Sequence, residues 1–138
     1  MIAIIRISGA VKLDRPIIQT FDRLRMKRKY SCVVINPTTE QAGMINKLKD
    51  FVAFGEINSE TFSKLVEKRG QLADRTKKTD LKKAAEEVMK GKKYSEANLK
   101  PFFRLHPPRG GIKSKVHFPK GVLGNNKEKI NELIMRML

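Results

Sequence analysis

Three short segments rich in β-branched and apolar residues alternate with two segments of helical periodicity in the first part of the chain. Residues 2–7, 31–35 and 54–57 have the composition of β-strands. Residues 16–29 begin with a proline that suits a first helical turn. Residues 38–52 begin with a threonine followed three residues later by a glutamine, the spacing of a capping box. This order predicts an α+β fold with a β-α-β-α-β core, in which one sheet has helices packed on a face.

The same pattern predicts strand directions and a core. Connection rules for a strand, a helix and a strand in succession favour a parallel first pair. Arg6 lies on the same face of the first strand as Ile2 and Ile4, so we expect that this face is not wholly dry. One apolar cluster between sheet and helices is expected to contain Ile5, Ile7, Phe21, Leu24, Val34, Ile45 and Leu48.

The chain changes character after the third predicted strand. We predict a core of residues 1–57 and a helical extension of residues 58–138. The extension begins with two short helices, capped by Ser59 and by Thr79. Residues 104–124, which contain three prolines and four glycines, predict a basic loop or arm. A final helix is expected to follow this loop.

Charge is the strongest indication of function. The chain has 30 Lys and Arg against 14 Asp and Glu, a net charge of +16, which exceeds what solubility requires. Two stretches contain no acidic residue, one at residues 23–29 and a longer one between Glu96 and Glu128. Charges that serve only solvation are usually mixed in sign, so these stretches predict surfaces that contact a polyanion.

The predicted RNA-binding residues fall into three groups, and each group has a plainer interpretation. Cations near the end of the first helix also stabilise a helix C-terminus, those of the second helix also suit a solvated face, and those of the arm also suit an ordinary surface loop. Prolines stiffen the arm and leave it few apolar side chains to bury, so we expect it to be mobile without RNA, apart from a short strand at residues 116–118. The candidates are Arg23, Arg25, Lys27, Arg28 and Lys29; Lys47 and Lys49; and Arg104, His106, Arg109, Lys113, Lys115 and Lys120.

Catalytic and metal-binding patterns are missing from the sequence. His106 and His117 are the only histidines, and they have no carboxylate cluster beside them, so we expect no metal site. Cys32 lies in an apolar strand and is expected to be a small core residue. No phosphate-binding loop, nucleophile elbow or acid–base carboxylate pair is present, which predicts a protein that is not an enzyme and needs no cofactor. No apolar run approaches the length of a membrane helix, and no signal sequence is expected.

Several motifs together resemble a known family. Residues 20–28 (TFDRLRMKR), 43–50 (GMINKLKD) and 54–56 (FGE) resemble large ribosomal subunit protein thirty, whose eukaryotic relatives are called large-subunit protein seven. Residues 105–111 (LHPPRGG) and 123–126 (LGNN) resemble the longer archaeal form. The resemblance implies a three-stranded antiparallel sheet with two helices on one face, followed by a helical C-terminal part. We take the strand directions from this family pattern, which is antiparallel, and not from the connection rules.

The resemblance also implies a function. It predicts a structural component of the large ribosomal subunit that binds large-subunit rRNA through Lys and Arg contacts to phosphates. The implied location is the cytoplasmic ribosome and the implied partners are rRNA and neighbouring ribosomal proteins, with no membrane and no small-molecule substrate. A free RNA-binding regulator that recognises structured RNA is the alternative. An enzyme acting on nucleic acid is disfavoured by the missing catalytic groups.

Overall fold

A computed structural model describes residues 1–9, 11–112, 116–118 and 120–138. Over these residues the chain forms five strands, five α-helices and one short 3₁₀ helix. The elements in chain order are β1 (Ile2–Arg6), α1 (Arg15–Arg23), β2 (Ser31–Ile35), α2 (Thr39–Leu48), β3 (Val52–Glu56), α3 (Ser59–Arg69), α4 (Leu81–Met89), β4 (Phe103–Arg104), β5 (Gly124–Asn125), the 3₁₀ helix (Lys127–Lys129) and α5 (Ile130–Met137).

The strands of the described chain form one sheet in the order β4-β2-β1-β3-β5. β1 is central and antiparallel to both neighbours, with Ile2 opposite Ile35 on β2 and opposite Glu56 on β3. β4 pairs antiparallel with β2, and β5 pairs parallel with β3. The α+β class is therefore confirmed, but the sheet has five strands where three were expected. The two additional strands are short pairs on its outer edges.

The parallel first pair favoured by connection rules is wrong, and the antiparallel pairing implied by the family resemblance is the one observed. The loop after α1 brings the chain back to the end of the sheet where β1 finishes, and there the Tyr30 amide donates to the Arg6 carbonyl at 2.7 Å. β2 therefore starts beside the end of β1 and runs back along it, which makes the pair antiparallel. α1 also ends at Arg23, earlier than the predicted residue 29, because Arg25 adopts a left-handed conformation with φ of 62°.

Both faces of the sheet are buried, so the single predicted core cluster is wrong. Side chains alternate between faces along a strand, and this separates neighbours such as Ile4 and Ile5. α1 and α2 cover one face, whereas α3, α4 and α5 pack on the other. Of the predicted core residues, one cluster contains Phe21, Leu24, Ile45 and Leu48, and the other contains Ile5, Ile7 and Val34.

Helix starts follow the predicted residues closely. The capping box of α2 is present, with the Thr38 hydroxyl accepting from the Gln41 amide at 3.3 Å and the Gln41 side chain accepting from the Thr38 amide at 3.1 Å. α3 and α4 are capped one residue away from the predictions, by Asn58 and Asp80. The predicted division after residue 57 stays a prediction, although both parts of the chain contribute strands to the one sheet.

Gly55 allows the 3₁₀ helix and the start of α5 to pack directly on β3. A Cβ atom at this position would come within 2.3 Å of the Lys127 carbonyl oxygen and within 3.0 Å of the Ile130 side chain. Gly43, in the middle of α2, is different, because nothing lies within 4 Å of the corresponding position. Close packing therefore requires Gly55, whereas no contact in the described chain requires Gly43.

Replacing the two glycines by alanine should therefore have opposite effects. We expect Gly43→Ala to raise the free energy of unfolding by roughly 0.5–1 kcal/mol, because alanine is the better helix former. Gly55→Ala should lower it by about 1–3 kcal/mol through overpacking. Urea unfolding followed by circular dichroism measures both. A stable Gly55→Ala variant would contradict the packing of the 3₁₀ helix on β3.

Truncation of Leu48 tests the face covered by α1 and α2. Leu48 is 0% exposed in that cluster, so Leu48→Ala should cost about 2–5 kcal/mol of unfolding free energy. Met135, on α5, is 43% exposed and provides a control, since Met135→Ala should change stability by less than about 0.5 kcal/mol. Equal losses in the two variants, measured by urea unfolding, would show that the helix face is wrongly assigned.

Candidate nucleic-acid interface

Several loops meet at one end of the sheet, which we call the basic end. It is the end where Arg6, Ser31 and Val52 come together, since Arg6 pairs with Val52 and Tyr30 bonds to Arg6. β4 joins it through the pairing of Arg104 with Ser31. The α1–β2 loop and the turn between α2 and β3 both open here, so the topology brings together basic residues that lie far apart in the sequence.

The side chain of Arg6 hydrogen-bonds to the α1–β2 loop and stabilises its position. Its guanidinium is buried, with the residue 3% exposed, and donates to the Met26 carbonyl at 2.7 Å and to the Ser8 carbonyl at 3.0 Å. The same group lies 4.1 Å from the centroid of the Phe21 ring, a cation–π contact. Burial lowers the pKa of Arg6, while the charge of Asp22 acts in the opposite direction. The side chain thus donates to loop carbonyls and has a structural role. That this face of the first strand is not wholly dry stays a prediction, since Arg6 is buried together with Ile4.

The shape of this loop places Arg25 in an unusual conformation. Arg25 and Tyr30 both have positive φ, 62° and 65°, and frame the loop. A left-handed conformation costs a non-glycine residue about 1–2 kcal/mol, and glycine or asparagine adopts it more easily. Arg25 is exposed and is not packed as a core residue. An arginine held in this conformation with its side chain at the surface is typical of a functional position.

A cleft of about 360 Å³ lies at the basic end, and we call it the basic cleft. The α1–β2 loop forms one wall, and the segment around β4 forms the other. The Arg104 guanidinium lies 5.6 Å from the centroid of the Phe102 ring, which orients it along this wall. None of the described residues that line the cleft is acidic. The lining residues are Arg25, Lys27, Arg28, Ser31, Phe102 and Arg104.

Three carboxylates lie together at the opposite end of the sheet. A cleft of about 590 Å³ lies there beside Glu56, the last residue of β3, and the carboxylates of Glu128 and Glu132 also line it. Lys129 is the basic residue in its lining. Carboxylates are therefore grouped at this end, whereas the described lining of the basic cleft has none.

The remaining candidates of the first two groups are exposed around the basic end. Arg23 lies in the last turn of α1 and Lys47 in the last turn of α2, where both also interact favourably with helix dipoles. Lys49 follows as the C-cap of α2, and Lys29 lies 5.1 Å from the centroid of the Tyr30 ring. These residues are exposed at the same end of the sheet, outside the lining of the basic cleft.

The arm is packed against α5, in contrast to the expected free loop. The amide of His106 donates to the Met137 carbonyl at 3.2 Å, and the amide of Arg109 donates to the Arg136 carbonyl at 3.1 Å. The Arg136 guanidinium donates to the carbonyls of Arg109, at 3.0 Å, and Gly111. The prediction considered apolar side chains alone. Backbone amides of the arm donate hydrogen bonds to carbonyls in the last turn of α5, and this kind of packing needs few apolar side chains.

The candidate RNA-binding residues of the arm consequently lie at different places on the surface. Arg104 lines the basic cleft, whereas Arg109 is exposed beside α5. His106 Nε2 hydrogen-bonds to the Leu138 backbone oxygen, so its ring is turned toward the C-terminus. Lys120 is exposed. Lys113 and Lys115 lie outside the described residues.

Sequence reasoning missed part of this surface. Phe102 lines the basic cleft, and Lys93 and Lys100 line a second cleft beside it that shares Arg25 and Phe102 with the first. Lys100 belongs to the acid-free stretch between Glu96 and Glu128, and this was the one feature of the sequence that indicated a binding role for it. Phe102 had no signal, since an aromatic residue in an apolar context predicts a core position.

The remaining polar groups are structural. His117 Nε2 lies 2.7 Å from Asp50 Oδ1 and ties its segment to the α2–β3 turn. Cys32 is buried in the sheet as predicted, and burial raises the pKa of its thiol to about 12. Within the described parts of the chain, no three His, Cys, Asp or Glu residues are grouped so that they could hold a metal ion. No described helix is long and apolar enough to cross a membrane.

The fold and the basic cleft define a class: small α+β proteins that carry a clustered basic surface, as nucleic-acid-binding proteins do. Residues 2–52 match the family model described as ribosomal protein L30p/L7e. The chain is 42% identical to the large ribosomal subunit protein uL30 of Archaeoglobus fulgidus over 151 aligned positions, which cover 99% of both chains. Proteins of the same name from Methanococcus vannielii and Pyrobaculum arsenaticum are 39% and 36% identical, over 99% of this chain and 98% and 93% of theirs.

The chain belongs to the uL30 family of large ribosomal subunit proteins. Membership over nearly the full length confirms the resemblance to the archaeal-type family. Proteins of this family are structural ribosomal proteins and not enzymes, as the sequence predicted.

Proposed function

We propose that the protein binds large-subunit rRNA at its basic end and fastens the RNA fold as a structural component of the cytoplasmic ribosome. The observation that carries this proposal is the basic cleft, where Arg25, Lys27 and Arg28 from one loop face Arg104 from a segment about 80 residues away. The absence of acidic residues among those described in its lining leaves the attraction for phosphate uncompensated. Membership of the uL30 family supports rRNA as the polyanion.

The cleft suits phosphates because of its chemistry. A guanidinium group donates two parallel hydrogen bonds to phosphate oxygens, whereas a lysine acts as a mobile point charge. Two arginines, Arg25 and Arg104, lie on opposite walls, so a sugar–phosphate backbone seated between them is held from both sides. Lys29, Lys47 and Lys49, exposed at the same end of the sheet, extend the positive field and steer the RNA toward the cleft.

The other candidates have secondary roles in this proposal. Arg23, Arg109 and Lys120 are exposed and provide outer phosphate contacts, as do Lys113 and Lys115 by their charge. His106 contributes through the position of the arm, because its ring is engaged with the C-terminus. Neighbouring ribosomal proteins are the expected partners of surfaces that do not face RNA.

A free RNA-binding regulator is less favoured. The relatives that match this chain over nearly its whole length are named as large ribosomal subunit proteins, which favours the ribosomal role. Sedimentation of the protein with large subunits through a high-salt wash distinguishes the two functions, since a regulator would remain in the free fraction.

Salt dependence provides the first test of the binding mode. If about six to ten phosphates are neutralised, affinity for large-subunit rRNA should fall roughly 10³–10⁵-fold between about 50 and 200 mM salt, by analogy with duplex DNA. Filter binding at a series of salt concentrations measures the slope. A folded protein whose affinity barely changes over this range would refute the electrostatic mechanism.

Replacement of Arg25 by glycine provides the second test. Glycine suits the left-handed conformation at this position, so Arg25→Gly should leave the melting temperature unchanged or raise it. The same change removes a charge-assisted contact worth roughly 1.5–3 kcal/mol, so affinity for large-subunit rRNA should fall by about ten- to a hundredfold. Thermal unfolding and filter binding measure the two effects separately.

Lys127→Gly is the matched control. Lys127 is also basic and exposed and also has a positive φ, of 51°, but it follows β5 at the opposite edge of the sheet, beside the acidic residues Glu56 and Glu128. Its replacement should leave rRNA affinity within about twofold to threefold of the wild type, since an isolated exposed charge contributes little. Equal losses of affinity in the two variants would show that net charge, rather than the basic cleft, determines binding.

A further inference from the structure

A second cleft, which we call the aromatic cleft, adjoins the basic cleft. Its volume is about 560 Å³, within the range of roughly 300–1,000 Å³ found for sites that take small organic groups. Arg25 and Phe102 line both clefts and form the ridge between them. The lining residues are Arg25, Ala73, Lys93, Tyr94, Ser95, Leu99, Lys100, Pro101 and Phe102.

The far wall of the aromatic cleft is fixed by hydrogen bonds. The Tyr94 hydroxyl donates to the Val34 carbonyl at 2.5 Å and so attaches this segment to β2. The Lys100 amide donates to the Gln71 carbonyl at 2.9 Å, and Leu99 forms a bridge with Leu72. The cleft is therefore formed in the absence of a ligand, and no wall has to be ordered when a ligand enters.

Phe102 is placed where a planar group could stack. One part of its ring packs against the cluster beneath α1 and α2, and the residue is only half-buried. Arg104 contacts the ring from the side of the basic cleft, at 5.6 Å from the centroid. A half-buried phenylalanine between two cationic clefts is not explained by core packing alone.

We propose that the aromatic cleft takes an unpaired nucleobase of the bound RNA. The base lies against Phe102, while the phosphates that flank it contact Arg25 on the ridge and Arg104 in the basic cleft on one side, and Lys93 and Lys100 on the far side. This inference rests on the proposed function, because it requires RNA at the basic end, and it adds the class of nucleotide recognised. Proteins commonly recognise single-stranded and bulged RNA by stacking such bases on aromatic side chains.

The lining favours a nucleotide over a protein segment. Arg25, Lys93 and Lys100 surround an apolar floor of Leu99 and Pro101, and none of the described lining residues is acidic. A nucleotide combines an apolar base with an anionic phosphate, which matches a floor and a rim of this kind. A peptide would need carboxylates spaced around an apolar side chain to match it equally well.

Substitution of phenylalanine by leucine tests the stacking. Phe102→Leu preserves apolar volume and removes the flat ring, so affinity for large-subunit rRNA should fall about fivefold or more, the lower part of the range for loss of one base–aromatic stack. The slope of affinity against salt should stay that of the wild type, because the phosphate contacts remain. Phe118→Leu is the control, since Phe118 is also half-buried beside a lysine, Lys129 at 5.5 Å, but lies by β5 at the other edge of the sheet.

Crosslinking identifies what occupies the cleft. Large-subunit rRNA transcribed with 4-thiouridine should crosslink, on irradiation, to the peptide that contains residues 93–102, and the crosslinked nucleotide should be unpaired by chemical probing of the free RNA. Crosslinks confined to the α1–β2 loop, with wild-type affinity for Phe102→Leu, would overturn the inference and leave the proposed function intact. A neighbouring ribosomal protein crosslinked to residues 93–102 in intact subunits would also overturn it. Wild-type protein that shows no salt-dependent rRNA binding would instead refute the proposed function.

Discussion

The buried guanidinium of Arg6 is the contact on which the basic end depends. A charge removed from water must be hydrogen-bonded, and Arg6 meets this requirement with the carbonyls of Met26 and Ser8 and the face of the Phe21 ring. These partners belong to the loop before α1, to α1 itself and to the loop after it. The same contacts that stabilise the charge therefore determine the path of the loop that carries Arg25, Lys27 and Arg28.

The sheet has two buried faces, and this gives the C-terminal part a structural role. α3, α4 and α5 cover the face that contains Ile5, Ile7 and Val34, which would otherwise be exposed to water. β4 and β5 then pair with the outer strands and protect edges that could pair with another chain. Through β4 this part also places Arg104 beside the α1–β2 loop, so the residues that complete the core also complete the basic cleft.

Charge is separated along the strands of this molecule. The basic and aromatic clefts lie at the end where β1 finishes, and the cleft lined by Glu56, Glu128 and Glu132 lies where β3 finishes. Because β1 and β3 are antiparallel, these are opposite ends of the sheet. The described residues that line the two basic clefts include no carboxylate, so the most uniformly basic surface lies away from these three glutamates.

The sequence alone determined the local structure and the class of partner. Periodicity, the capping box at Thr38 and net charge are properties of neighbouring residues and of sums over the chain, so they predicted α2, the strand at 31–35 and a polyanionic partner without a structure. The motifs that resemble the uL30 family are also runs of neighbouring residues, so they too were recognised without a structure. Strand direction, the split of the core into two clusters and the packing of the arm on α5 depend on distant parts of the chain. The parallel pair drawn from connection rules and the single core cluster were therefore wrong, whereas the antiparallel sheet implied by the family resemblance is the one observed. Only the tertiary structure placed Arg25 beside Arg104 and Phe102, because their proximity depends on the pairing of β4 with β2, between residues some 70 positions apart.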